Sequence, residues 1–194
     1  MPALPERYTL PYLPTVFVVG SGRDPLAGAG DLEFGILLRD IDLMTLVTVA
    51  EAGPERIAVD LDGVDGLGAD DAAARFVVER LGIRIVMTRR PALAAFVAAV
   101  GGLGLVHVFA FDSTGLGHAL ESHPARPRVG TVISPGPVLS HLTAADLERL
   151  PRPVVADGLI DAPDRARRLL AVADSVVVDP ECARGLAAGI GETR

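Results

Sequence analysis

Short apolar, β-branched runs recur along the chain, each followed by a polar or glycine-bearing turn and, in most cases, a helical pattern. The runs are Thr15–Gly20, Phe34–Leu38, Arg56–Leu61, Arg84–Met87, Leu105–Phe111, Val129–Ile133, Pro153–Ala156 and Ser175–Val178. They are nearly continuous in apolar character, which suits parallel strands buried on both faces. Between them, Ile41–Ala52 places Leu43, Leu46, Val47 and Ala50 on one helical stripe, and Gly53-Pro54 stops it. Asp70–Leu81, Pro91–Val100, Ala162–Val172 and Pro180–Ala188 read as further helices. Thr143 and Asp146 have capping-box spacing, with Asp in place of the usual Glu.

This alternation predicts an α/β protein, a compact (β/α)₈ TIM-like barrel, with an open doubly wound sheet as the alternative. Ser21–Glu33 is too glycine-rich for a firm helix, so the first helix is expected to be degraded. The pattern gives one barrel domain over residues 14–188, with an N-terminal extension at 1–13 and a C-terminal tail at 189–194.

Composition narrows the function classes. Of 194 residues, 49% are hydrophobic and 22% charged, which excludes a disordered chain. The net charge of −7 is a poor basis for binding a phosphate backbone, so any nucleic-acid contact must come from local arginine clusters. There is no lysine, hence no Schiff-base chemistry. The single cysteine, Cys182, excludes an intramolecular disulfide framework and a multi-cysteine zinc site, and suits the cytoplasm. No signal-peptide pattern opens the chain, and the apolar stretch Leu93–Val108 is broken by Gly101-Gly102, so no membrane association is expected. G-x-S-x-G, P-loop and H-E-x-x-H patterns are absent.

In a barrel of this kind, function sits where the strands end. The residues just past the runs include Arg23, Arg39 and Asp40; Asp60 and Asp62; Thr88, Arg89 and Arg90; Asp112 and Ser113; Ser134 and Gly136; Asp157 and Gly158; and Asp179. Of these, Asp40, Asp60, Arg89, Asp112, Ser113, Gly136, Asp157, Gly158 and Asp179 form the candidate ligand site, with Arg89 as its principal cation. Asp157 and Asp179 stand in the two loops that usually cradle a phosphate. At about 5 Å and an effective dielectric of about 20, two such charges repel by roughly 3 kcal/mol. No cofactor is required by these residues. Alternatively, Asp60, Asp62, Asp112, Asp157 and Asp179 offer hard oxygen ligands to Mg²⁺. His118 and His123 have an imperfect metal spacing, and His107 reads as a hydrogen-bonded imidazole inside the barrel. Arg165, Arg167 and Arg168 form the best basic cluster, ahead of Arg149 with Arg152 and Arg126 with Arg128. Asp161 and Asp164 lie at helical spacing from Arg165 and Arg168, so that cluster can also pair internally.

Read in order, several short segments resemble the glycerol uptake operon antiterminator family, the glycerol-3-phosphate-responsive antiterminators. They are Ile36-Leu37-Leu38-Arg39-Asp40-Ile41, Asp60-Leu61 through Gly66-Leu67 to Asp70-Asp71, Met87-Thr88-Arg89, Phe109 through Asp112-Ser113, Ser134-Pro135-Gly136 and Asp157-Gly158-Leu159-Ile160. The resemblance spans roughly Pro14–Leu186. It implies a cytoplasmic barrel that senses glycerol 3-phosphate and binds leader mRNA to prevent transcription termination. The chain departs from the family pattern at Val106-His107, Val132, Asp157 and Val177-Val178-Asp179, where groups suited to a polyol phosphate are replaced. The resemblance therefore implies a regulator, not an enzyme, with an altered ligand site. A small-molecule or Mg²⁺-binding barrel enzyme and a non-catalytic degenerate relative stand as alternatives, and a homo-oligomer is compatible with each.

Overall fold

The computed structural model describes residues 13–22, 25–26, 34–110, 117 and 125–191. Its centre is a closed parallel barrel of eight strands. These are β1 (Val16–Gly20), β2 (Gly35–Leu38), β3 (Ile57–Asp60), β4 (Ile85–Thr88), β5 (Leu103–Phe109), β6 (Val129–Ser134), β7 (Val154–Ala156) and β8 (Ser175–Val178). They pair in chain order, and β8 closes the ring on β1 through Val16 with Val176 and Phe17 with Val177. The open-sheet alternative is thereby excluded.

Closure explains the continuous apolar runs. Successive side chains on a strand point to opposite faces, and both faces are buried here. One set, including Phe17, Leu37, Ala58, Ile85, Met87, Leu105, Val132, Val155 and Val177, packs together as one core cluster. The alternate set, including Val18, Leu38, Val59, Val86, Val106 and Val176, packs with helix residues such as Leu46, Ala74, Val97, Leu169 and Ala183. Leu13 packs against the first cluster, so part of the segment expected as an extension contributes to the barrel.

The helices are α1 (Leu43–Ala52), α2 (Asp71–Arg75), α3 (Pro91–Ala99), α4 (Ala144–Arg149), α5 (Pro163–Leu169) and α6 (Pro180–Gly191). The helix expected from Ile41 starts later, at Leu43. Asp42 caps it by accepting the Thr45 N–H at 2.9 Å, and Ile41–Asp42 pairs instead with Val64–Asp65 as a small parallel sheet. The expected Asp70–Leu81 helix is α-helical only to Arg75 and continues as a π-helix over Phe76–Arg80, with both Val77 and Val78 buried. The Thr143–Asp146 capping box forms as expected. β5 begins earlier than expected because Gly104 belongs to the strand: a Cβ there would overlap the Ala94 carbonyl of α3. A 3₁₀ segment over Gly136–His141, not expected from the pattern, follows β6. Residues 21–33, expected to lack a full helix, lie mostly outside the described residues; Gly22, Pro25 and Leu26 lie in turns.

Val59, fully buried between barrel and helices, reports on this two-sided burial. Val59→Asp places a carboxylate with no partner in the core, at a cost of several kcal/mol, about the stability of a marginal domain. We expect insoluble or unfolded protein. A cooperative urea transition with an unchanged midpoint would contradict the assignment.

Candidate functional site: the polar mouth of the barrel

The inward-facing positions of the strands carry on past the apolar core and become polar. Two residues beyond Leu37, Ala58, Leu105, Val132 and Val155 stand Arg39, Asp60, His107, Ser134 and Asp157. All five line a cavity of about 400 Å³ at the carboxyl ends of the strands, with Asp40, Asp62, Arg89, Phe109 and Gly158 among their neighbours.

At its base lies Asp157, only 3% exposed. Its Oδ2 accepts from Arg39 Nη2 at 2.9 Å and from the Ser134 hydroxyl at 3.0 Å, and lies 3.5 Å from His107 Nε2. Arg39 also reaches Asp60, with Nε 3.3 Å from Oδ2. One guanidinium therefore joins carboxylates from β3 and the end of β7. The proton positions follow from this chain. Ser134 gives its only hydrogen to Asp157, so the 2.8 Å contact between Ser134 Oγ and His107 Nε2 requires His107 to donate from Nε2. Burial, assisted by the positive charges of Arg39 and Arg89 and opposed by Asp157, lowers the His107 pKa from 6.5 to about 4. The ring is thus neutral near pH 7, and it stacks on Phe109 with centroids 4.3 Å apart. Burial, with Asp62 adding to it and Arg39 opposing it, raises the Asp60 carboxyl above its ordinary value.

Arg39 occupies the place that Arg89 was expected to hold. The Arg89 side chain is 60% exposed and only 3.7 Å at best from Asp62, while its backbone N–H donates to Asp62 Oδ2 at 2.6 Å. Asp62 is further held by the Thr88 hydroxyl at 2.9 Å and by Arg90 at 3.6 Å. The period of two from Leu37 to Arg39 was the available signal for Arg39.

Other expected residues are dispersed. Asp40 is exposed at the cavity rim with φ 52°, and Gly158 lines the cavity with φ 75°. Gly136 is buried, its N–H donating to the Asp157 carbonyl at 2.6 Å, and it ties two loops together instead of lining the cavity. The expected confrontation of Asp157 with Asp179 in a shared phosphate cradle does not form. Asp157 is enclosed with Arg39, whereas Asp179 is exposed, outside the cavity lining, and accepts the Cys182 N–H at 2.7 Å at the start of α6. Asp112, Ser113, Arg23, His118 and His123 lie outside the described residues. Arg165, Arg167 and Arg168 lie on α5. Arg165 pairs with Asp161 as expected, but Asp164 pairs with Arg167, three residues on, and not with Arg168. Cys182 is a buried core residue. Among the described residues, no three His, Cys, Asp or Glu side chains are grouped to hold a metal, and no helix is long and apolar enough to cross a membrane.

A closed eight-stranded barrel with a polar mouth at the strand ends defines the class: a (β/α)₈ barrel built around a small-molecule-sized cavity. Residues 33–178 match the family described as glycerol-3-phosphate responsive antiterminator, and the chain belongs to that family. No curated protein matches it. Among solved structures it is similar to a glycerol uptake operon antiterminator regulatory protein from Listeria monocytogenes, at TM-score 0.72 and 18% identity over 90% of this chain and 94% of that one. It is similar to a glycerol uptake operon antiterminator-related protein from Thermotoga maritima, at TM-score 0.72 and 20% identity over 89% and 99%. Deoxyribose phosphate aldolase from Aeropyrum pernix shares the fold at TM-score 0.62 and 15% identity, over 93% and 91%.

Two outcomes follow from the mouth. Arg39→Ala strands the buried Asp157 charge and should cost about 3–5 kcal/mol, whereas Arg89→Ala removes an exposed pair worth under about 1 kcal/mol. Urea melts that rank the two equally would refute the assignment. Because the His107 pKa is lowered on folding, the unfolded chain binds more protons between pH 6.5 and about 4. Its contribution, up to about 3 kcal/mol, is therefore present above that window and lost as the pH falls through it. Asp60 acts in the opposite sense, so the test is the difference between the protein and His107→Gln. The variant should show a flatter fall in stability over that range, and parallel curves would contradict the effect.

Proposed function

We propose that the protein is a regulatory member of this family that binds leader RNA of glycerol-utilisation genes in the cytoplasm, through a barrel whose mouth no longer receives glycerol 3-phosphate. One observation carries this reading: the groups that would meet a phosphate are already bound to one another. Arg39 is shared by Asp60 and Asp157. The Asp179 carboxylate takes the N-terminus of α6, a position at which a helix otherwise receives an anion. A phosphate dianion would have to displace a buried carboxylate from Arg39 and then stand beside it. The same closure supports a regulatory reading over a catalytic one, because His107 is neutral and engaged with Ser134, and Asp157 is held by Arg39 and Ser134. Among the described residues the acidic face is already engaged, which supports this reading over Mg²⁺ binding: Asp60 and Asp157 share Arg39, and Asp62 is turned to Thr88 and Arg89.

The RNA contact is assigned to the face of α5. Arg168 is exposed and has no acidic partner among the described residues. The Arg165–Asp161 and Arg167–Asp164 pairs are exposed and therefore weak, so phosphates can replace the carboxylates. The net charge of −7 keeps such binding local and salt-sensitive.

Two measurements test the reading. In anisotropy titrations, the leader RNA of the protein's own glycerol operon should bind more tightly than a scrambled RNA, and Arg165→Ala, Arg167→Ala and Arg168→Ala combined should abolish the difference. In calorimetry, glycerol 3-phosphate should give no saturable heat, whereas Asp157→Gly with Asp179→Ser, which removes the carboxylates from Arg39 Nη2 and from the α6 N-terminus, should create anion binding. Equal affinity for both RNAs, or micromolar binding of glycerol 3-phosphate to the unaltered protein, would overturn it.

A further inference from the structure

Charge is divided between the two ends of the barrel. The carboxylates Asp40, Asp60, Asp62, Asp157 and Asp179 end or follow strands and stand at the mouth end. At the opposite end the chain passes from each helix into the next strand, and on the way into β4, β5, β6 and β7 these passages carry no acid among the described residues. They are residues 80–84, 100–102, 125–128 and 149–153, and their charged side chains are Arg80, Arg84, Arg126, Arg128, Arg149 and Arg152. The acids bordering them are Glu79, held by Arg75 at 2.7 Å; Asp174, held by Arg152 at 2.8 Å; and Glu148. The net charge of −7 therefore conceals a basic underside.

The strands fix these arginines side by side. The Leu103 N–H of β5 donates to the Arg84 carbonyl at 2.7 Å, and the Gly104 N–H donates to the Arg128 carbonyl at 3.0 Å, so Arg84 and Arg128 flank one strand. The Thr131 N–H of β6 donates to the Pro153 carbonyl at 2.8 Å, which sets Arg152 next in the row. At about 4.8 Å per strand, the row from β4 to β7 spans about 14 Å, the length of about four nucleotides of a stacked strand at about 3.4 Å each. Arg80, Arg84, Arg126 and Arg149 are exposed and form no ion pair among the described residues, so a phosphate would displace no carboxylate from them.

A groove of about 440 Å³ opens in the same sector. Ala95, Ala98 and Ala99 of α3 and Gly101 give it a small apolar floor, and Arg126 and Arg128 line its side. Such a floor beside guanidinium groups suits a nucleobase, whose face stacks on a guanidinium plane while its phosphates meet neighbouring cations. A membrane surface suits this end less well. The exposed large apolar side chains among the described residues, Met44, Phe109 and Leu159, follow strands and lie at the mouth end, which leaves the underside none to insert.

We propose that the underside between β4 and β7 is a sequence-independent track for single-stranded RNA, with phosphates on Arg84, Arg126 and Arg149 and a base in the groove beside α3. This rests on the reading above that the protein binds RNA. It adds a second surface to the one on α5: the α5 cluster discriminates the leader, and the underside holds any RNA strand by its backbone.

The test is a set of anisotropy titrations of the full chain with the leader RNA and with the scrambled RNA, from about 50 to about 200 mM salt. Arg84→Ala with Arg126→Ala should weaken both RNAs equally, by about tenfold, and reduce the slope of log affinity against log salt by about 1.4, the loss of two single-strand phosphate contacts at about 0.7 each. Arg149→Ala, on a separate element, should reduce the slope by about 0.7. Arg75→Ala with Arg184→Ala makes the same change of net charge on α2 and α6 and should alter neither affinity nor slope, with thermal melts showing every variant folded. Unchanged affinity and slope in the underside variants would overturn the proposal and leave the α5 reading intact. An equal loss in the Arg75 and Arg184 variant, or a loss confined to the leader RNA, would overturn it as well. Binding to phosphatidylserine vesicles that the underside variants lose, with RNA binding unaltered, would overturn it in favour of a membrane. Equal affinity for the two RNAs, weakened by the underside variants, would overturn the α5 reading and support this one. No binding to either RNA would overturn both.

Discussion

A buried carboxylate must be compensated or it unfolds the protein around it, and Asp157 is such a group. Its compensation comes from Arg39, which precedes it by 118 residues, from Ser134 on β6 and, through Ser134, from His107 on β5. Residues at the ends of β2 and β7, which are not sheet neighbours, are thus tied through one oxygen. The tie also decides chemistry. It takes up the cation at the centre of the mouth and fixes the histidine tautomer.

The barrel makes that arrangement attainable. Apolar inward-facing residues from Phe17 round to Val177 fill the interior below the mouth and keep water from the underside of the cluster. Gly136 binds the loop after β6 to the one after β7 through backbone hydrogen bonds, so Ser134 and Asp157 are held on one support. The loops are short where the cluster needs precision, and Asp62 braces the adjoining turn by accepting both the Thr88 hydroxyl and the Arg89 N–H. The antiterminator-type structures share this barrel at 18% and 20% identity. Such likeness concerns the frame, and the set of polar residues in this mouth has to be argued from its own geometry.

The sequence alone determined the barrel. Eight apolar runs separated by helical patterns and punctuated by glycine and proline leave few other ways to bury both faces of every strand, and each run became a strand to within a residue or two. The Thr143–Asp146 cap and the place of His107 inside the barrel were equally local in origin, and the structure agrees with them. Which mouth residues meet was not legible there, because a charge after a strand reads alike whether it faces solvent or the barrel axis. Arg39 and Arg89 occupy equivalent places in the pattern, yet closure put Arg39 between two carboxylates and left Arg89 in solvent. Asp157 and Asp179 likewise end adjacent strands, but one is enclosed and the other turns to cap a helix. Only ring closure brings β2 beside the axis that β3, β5, β6 and β7 share, and pairing across that axis is a property of three-dimensional distance that sequence separation does not encode.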